Sequence, residues 1–155
     1  MRLSELLNPS AITLSLDARN KADALAELVG VLEKAHGYDS GGEILERVRR
    51  REEMMSTAIG FGVAIPHGKA ASVNAMAAAC AVCPDGIDFG SDDGTPTHLI
   101  ILFVSPDQRA TEHVRVLANI SRLLKEESVR RDLRAAQSPT EFLSIIQAAE
   151  AALIP

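Results

Sequence analysis

The alternation of apolar and polar positions divides the chain into strand-like and helix-like stretches. Ala11-Ile12-Thr13-Leu14-Ser15-Leu16 largely alternates, the pattern of a half-buried strand. Asp17 to Asn20 then turns into a helix in which Leu25, Leu28, Val29 and Leu32 recur at helical spacing, and Gly37 stops it. Ser40-Gly41-Gly42-Glu43 has the form of a capping box. It opens a second helix with Ile44, Leu45 and Val48 on one side, running through a group of arginines to about Met54 or Met55. Strand-like sequence returns from Thr57 to Ile65, punctuated by Gly60 and Gly62, and again from about Met76 to Cys83. Asp85-Gly86 reads as a turn, and Asp88 to Gly94 as a polar loop at the far end of a hairpin. His98 to Val104 is nearly all apolar, as expected of a central strand buried on both faces, and Ser105-Pro106-Asp107 ends it. A helix from around Thr111 to Leu124 follows, with Val114, Leu117, Ile120 and Leu124 in phase, then a shorter one over Ser128 to Ala136. Ser138-Pro139-Thr140-Glu141 joins a capping serine, a proline at the first helical position and a glutamate at the third. It starts a last helix carrying Phe142, Leu143, Ile146 and Ala149.

Strand, two helices, several strands and then helices give an α/β sandwich around a mixed sheet. With no repeat or linker, residues 1–155 read as one domain. Apolar residues make up 46% but aromatics only 3%, so the core must rest on Leu, Ile, Val and Ala. Scarce aromatics and a net charge of −5 argue against a nucleic-acid partner, which calls for stacking platforms or a basic footprint. Arg47, Arg49, Arg50 and Arg51 are surrounded by Glu43, Glu46, Glu52 and Glu53, so most of that cluster reads as a solvated helix face. No apolar run is long enough to insert in a membrane, and the first residues lack a signal-peptide core, so a cytoplasmic protein is expected.

Cys80 and Cys83 form a CxxC, but within a strand such a pair points to opposite faces, on the order of 10 Å apart. A disulfide needs Cα atoms within about 7 Å. No second cysteine or histidine pair completes a metal site, so two buried free thiols are expected, with no metal and no cofactor. Gly60-Phe61-Gly62 has Ile65 where a dinucleotide-binding loop needs its third glycine. Asp88 to Gly94 places Phe89 where a calcium loop needs an aspartate.

The chemistry concentrates in Gly60-Phe61-Gly62-Val63-Ala64-Ile65-Pro66-His67-Gly68-Lys69. A strand leading into a tight, open turn would hold the His67 imidazole at a pocket edge. Pro66 fixes its own φ, and Gly68 allows a positive φ or the close approach of another molecule. A histidine with a pKa of about 6.5 is mostly a neutral base at cytoplasmic pH. As a nucleophile it needs an acceptor for its second ring nitrogen, and a backbone carbonyl would serve. His113 follows the buried strand at the start of a helix, where α/β folds place ligands and helix amides favour anions. Arg51 offers a guanidinium fork to phosphate oxygens.

The run Arg51-Glu52, Ser56-Thr57, Gly60, Gly62 and Ala64-Ile65-Pro66-His67-Gly68, with Glu112-His113 downstream, resembles the enzyme IIA proteins of the phosphoenolpyruvate-dependent phosphotransferase system, in the fructose/mannitol/nitrogen-related branch. The resemblance covers nearly the whole chain. It implies a mannitol-type enzyme IIA fold, a mixed sheet flanked by helices on both sides. It also implies a phosphotransferase component with a phosphohistidine at His67, on Nε2. His113 and Arg51 would assist the transfer, and Ser56, Thr57 and Gly68 would bind phosphate. The implied donor is a histidine phosphocarrier protein. Lys69 after His67-Gly68, and a chain with no fused IIB or membrane domain, favour the nitrogen-regulatory type, acting on target proteins through its phosphorylation state. The alternative is a sugar-specific enzyme IIA that passes phosphate to an enzyme IIB for uptake.

Overall fold

The computed structural model describes residues 1–155, built around one six-stranded mixed sheet. The elements run β1 (Ile12–Thr13), α1 (Lys21–His36), α2 (Glu43–Met54), β2 (Ala58–Gly60), β3 (Val63–Ala64), β4 (His67–Lys69), β5 (Ala77–Ile87), β6 (Thr97–Ser105), α3 (Ala110–Leu124), α4 (Glu127–Ala135) and α5 (Pro139–Leu153). The strand order is β1-β5-β6-β3-β2, with β4 also on β6. β5 and β6 form the antiparallel hairpin expected around the Asp88–Gly94 loop. The small side chains of Ala77, Ala78, Ala79, Cys80 and Ala81 on β5 leave room for helices to approach, and α1 and α4 both touch this strand. α1 and α2 cover one side of the sheet, and α3, α4 and α5 cover the other as a mutually packed group. No helix is long and apolar enough to cross a membrane.

Several local expectations change. The strand predicted over residues 11–16 shrinks to Ile12–Thr13, preceded by 3-10 turns at Leu3–Leu6 and Pro9–Ala11. The Ser40–Glu43 capping box does not close. Gly42 caps α2 at φ 94°, the Ser40 hydroxyl donates to Glu33, and the Glu43 carboxylate accepts instead from the amide and hydroxyl of Ser72. Asp85-Gly86 is not the end of β5, which continues to Ile87 through a register shift. Gly86 sits there at φ 79°, where a Cβ would lie 2.8 Å from Pro96, so the kink needs glycine. On α3 the buried stripe is His113, Val116, Ile120, Leu123 and Leu124, whereas Val114 is exposed. Both phases satisfy helical spacing, and packing against α4 and α5, with His113 set on Phe103 and Ser105, selects the one that turns His113 inward. Ser138 caps α5 as expected, accepting from the Glu141 amide at 3.0 Å. Cys80 and Cys83 are free and buried, and burial pushes the Cys83 thiol up to about 11.

The segment that the sequence places in a turn is an extended edge. Val63 and Ala64 pair in parallel with Leu99 and Ile100, and His67, Gly68 and Lys69 continue in the same register opposite Phe103, Val104 and Ser105. The ladder lapses only at Ile65-Pro66, where proline has no amide to contribute. The Pro66 carbonyl still accepts from the Phe103 amide at 3.1 Å, and the Ile65 amide donates outward to the Thr57 carbonyl at 3.0 Å. His67 is therefore held by sheet pairing rather than by a turn.

Gly68 is needed for a different close approach from the one anticipated. Its backbone is pressed by α2, and a Cβ there would lie 3.2 Å from the Val48 amide nitrogen and 3.4 Å from the Arg47 carbonyl carbon. Helix backbone cannot yield as a side-chain tip can. Gly68→Val is expected to cost on the order of 1–3 kcal/mol by overpacking. Urea unfolding followed by circular dichroism would read this as a lowered midpoint with an unchanged m-value.

Candidate functional site

β4 and β6 run parallel, and their C-terminal ends open between the last turns of α2 and the first turns of α3. A cleft of about 430 Å³ lies there, and both His67 and His113 line it. His67 begins β4, and its Nδ1 lies 2.9 Å from the carbonyl oxygen of Ile65. A carbonyl only accepts, so Nδ1 carries the proton and Nε2 keeps its lone pair. His113 projects from α3 with Nδ1 on the hydroxyl of Ser105, the last residue of β6. Ser105 is fully buried and its hydroxyl meets no other acceptor, so it donates to Nδ1 and leaves the proton of His113 on Nε2. The two imidazoles meet edge to face with centroids 5.2 Å apart, and both rest on Phe103, at 5.4 Å from His67 and 4.6 Å from His113.

Both histidines are held neutral. Burial is the main force lowering the pKa of His67 from 6.5. The Ile65 carbonyl opposes it, Arg51 reinforces it, Glu52 opposes it, and Lys69 reinforces it. Burial, then His67, then Lys69 push His113 down to about 4. The cations belong to the cleft itself. Arg47, Arg50 and Arg51 come from α2 and Lys69 from β4, while Met54, Val114 and Leu117 provide its apolar rim. Arg51 is steadied by a 2.7 Å bond from Nη1 to the Met55 carbonyl, which also satisfies the end of α2.

The structure thus gathers His67, His113, Arg51 and the backbone of Gly68 around one cleft. Ser56 and Thr57 stand apart from it with their polar atoms already used. The Glu52 carboxylate accepts from the amide and hydroxyl of Thr57 and forms a 2.8 Å ion pair with Lys21. The Ser56 hydroxyl donates to the Phe89 carbonyl and accepts from the Ala58 amide. These bonds fasten the chain leaving α2 to α1 and the hairpin loop, and neither residue lines the cleft. Gly68, also expected to bind phosphate, contributes backbone to the cleft but turns its Cα toward α2. Arg47 and Arg50 belong to the cluster expected to be a solvated face, yet their spacing with Arg51 puts all three on one side of α2, a signal already present in the sequence. Nothing in the sequence links Ser105 to His113. No group of three or more His, Cys, Asp or Glu side chains gathers to hold a metal ion.

The family model described as phosphoenolpyruvate-dependent sugar phosphotransferase system, EIIA 2, matches residues 5–149. The chain is 36% identical to the fructose-specific EIIABC component of Bacillus subtilis over 94% of its length, but spans only 23% of that longer protein. It is 33% identical to a nitrogen regulatory protein of Bradyrhizobium diazoefficiens, over 94% of this chain and 95% of the relative. Among solved structures it resembles nitrogen regulatory protein IIA-Ntr from Neisseria meningitidis, with TM-score 0.86, 30% identity, and coverage of 92% and 97% of the two chains. It shares the fold of Escherichia coli IIA mannitol, with TM-score 0.73, 24% identity, and coverage of 90% and 98%.

The neutral histidines bear on stability. A His113 pKa of about 4 in the fold, against 6.5 for the free side chain, means the unfolded chain binds the extra proton first as pH falls. Stability should therefore be complete above about pH 6.5 and decline toward pH 4. His113→Gln should flatten that decline by about 1–3 kcal/mol. Urea titrations of both proteins at pH 7.5, 5.5 and 4.5 check this, and parallel pH curves would contradict it.

Proposed function

The chain belongs to the phosphoenolpyruvate-dependent sugar phosphotransferase system EIIA 2 family, and on that basis we propose that it accepts a phosphoryl group on Nε2 of His67. The donor is a phosphorylated histidine phosphocarrier protein, met in the cytoplasm. The observation that carries the reading is the bond from His67 Nδ1 to the Ile65 carbonyl, which leaves Nε2 as the free nucleophile in a cleft rimmed by cations. The Nε2 lone pair forms a bond to phosphorus while the donor's phosphorus–nitrogen bond breaks, its electron pair returning to the donor imidazole. Phosphoryl transfer depends mainly on positioning and charge stabilisation. Arg51, Lys69, Arg47 and Arg50 balance the charge on the phosphoryl oxygens, and the Nε2 proton of His113 is available to one of them. The Ile65 carbonyl holds the ring of His67 and stabilises positive charge developing on it. The apolar rim of Met54, Val114 and Leu117 limits water, the competing acceptor.

Once His67 is phosphorylated, the regulatory reading is preferred. The match to the Bradyrhizobium nitrogen regulatory protein spans nearly the whole of both chains. A phosphoryl group brings roughly two negative charges into a cationic cleft, enough to change which target protein it attracts. The identity with the fructose-specific component favours the alternative, passage of the phosphoryl group to an enzyme IIB for sugar uptake.

Incubation with phosphoenolpyruvate, enzyme I and the phosphocarrier should add one acid-labile phosphoryl group to the intact mass, and His67→Ala should abolish it. Arg51→Gln should slow the transfer on the order of tenfold or more while leaving the fold intact. The rate should begin to fall only at a pH below the 6.5 of a free histidine, because burial lowers the pKa of His67. Absence of a mass shift with a competent donor would remove the carrier reading. Onward transfer to an added enzyme IIB would favour sugar uptake over regulation.

A further inference from the structure

A second cleft, of about 620 Å³, opens where β6 begins. Val63 and Val82 both pair with Leu99 there, whereas His67 pairs with Phe103, four residues further along the strand. At about 3.3 Å per residue the two clefts lie roughly 13 Å apart along β6, at opposite ends of the sheet. The new cleft has an aromatic floor. Phe61 makes the turn between β2 and β3 at φ 58°, the one non-glycine residue with positive φ, and the residue is 60% exposed. A bulky side chain in that conformation is strained and points to function. The conformation is locked from behind, since the Phe61 amide donates to the Asp93 carboxylate at 3.1 Å.

The cleft is also cationic, on a chain of net charge −5. The Arg130 guanidinium lies 4.8 Å from the Phe61 ring centroid and donates to the carbonyls of Leu124 and Lys125 at 2.8 and 2.7 Å. It therefore braces the ring as a fixed part of the fold. Arg131 and Arg134 project from α4 into the same space. Arg131 has only a 3.5 Å contact with its neighbour Asp132, and Arg134 has no side-chain partner. Glu127 is the single acid lining the cleft, and Leu14, Val82 and Pro84 form an apolar wall.

We propose that this cleft binds a phosphorylated small molecule with a flat ring, of the nucleotide class. The ring stacks on the open face of Phe61, and the phosphate is taken by Arg131 and Arg134 in the fork geometry that guanidinium groups offer. The volume suits a ligand of this size. The proposal is independent of phosphoryl transfer at His67, and its failure would leave that reading untouched.

Amide chemical-shift titrations of the unphosphorylated protein with AMP, adenosine and inorganic phosphate test it. AMP should bind saturably, shifting the amides of Phe61, Gly62 and Arg134, and should bind more tightly than adenosine or phosphate. Phe61→Asn keeps a residue that tolerates positive φ while removing the ring, and should weaken AMP about tenfold. The double variant Arg131→Gln/Arg134→Gln alters only exposed positions, and should weaken AMP by about tenfold or more, while the mass shift at His67 is retained. The proposal is overturned if AMP does not saturate, if its shifts cluster around His67, if phosphate alone binds as tightly, or if the double variant binds AMP as well as the parent chain.

Discussion

The parallel pairing of residues 63–69 with β6 is the constraint on which the site depends. One register, broken only at Pro66, sets His67 opposite Phe103 and brings Lys69 opposite Ser105. Phe103 then supports both imidazoles, and Ser105 orients the second. A slip of one residue would turn every side chain of this edge to the other face. Proline is tolerated because its carbonyl still serves β6, while the Ile65 carbonyl is left free to receive the His67 ring. The gap in the ladder thus falls where the His67 ring finds its acceptor.

Burying two imidazoles beside four cations is electrostatically consistent only if the imidazoles are neutral. Desolvation and the cations both disfavour a proton on either ring. With Nδ1 of His67 committed to the Ile65 carbonyl and Nδ1 of His113 to Ser105, the two Nε2 atoms have opposite character. His67 offers a lone pair and His113 a proton, the pairing that the proposed phosphoryl transfer would use. The cationic face of α2 is kept close by Gly68, which lets the helix backbone meet β4, and by Glu52, whose carboxylate ties the end of α2 to Thr57 and Lys21. Residues that touch no anion therefore place those that would.

The sheet has cationic clefts at both ends, although the chain as a whole is acidic. The turn at Phe61 begins the same sheet edge that ends in His67 and Lys69, so the two clefts lie along one edge paired with β6. Net charge is a statement about the whole surface, and local fields follow the helices that carry the arginines. The acidic balance that argues against nucleic acid is compatible with two small cationic clefts.

Much of this is legible in the chain. Helical spacing locates α1, α2, α4 and α5 to within a few residues, and the apolar run 98–104 marks the central strand. The motif around His67, with Arg51 and His113, points to the residues that line one cleft. These are local signals, because periodicity, caps and a short motif depend on neighbours in sequence. The phase of α3, the open capping box at Ser40, the extended path through Pro66 and the internal roles of Ser56 and Thr57 are not legible. Each depends on a partner distant in sequence: α5 and the N-terminal turn Leu3–Leu6 for α3, Ser72 for Glu43, Phe103 for Pro66, and Phe89 for Ser56. The order of residues is enough to say which side chains could do the chemistry. Which nitrogen of each histidine is free, and which arginines face it, is decided by the fold, because a tautomer is set by a hydrogen-bond partner and a helix face by what it packs upon.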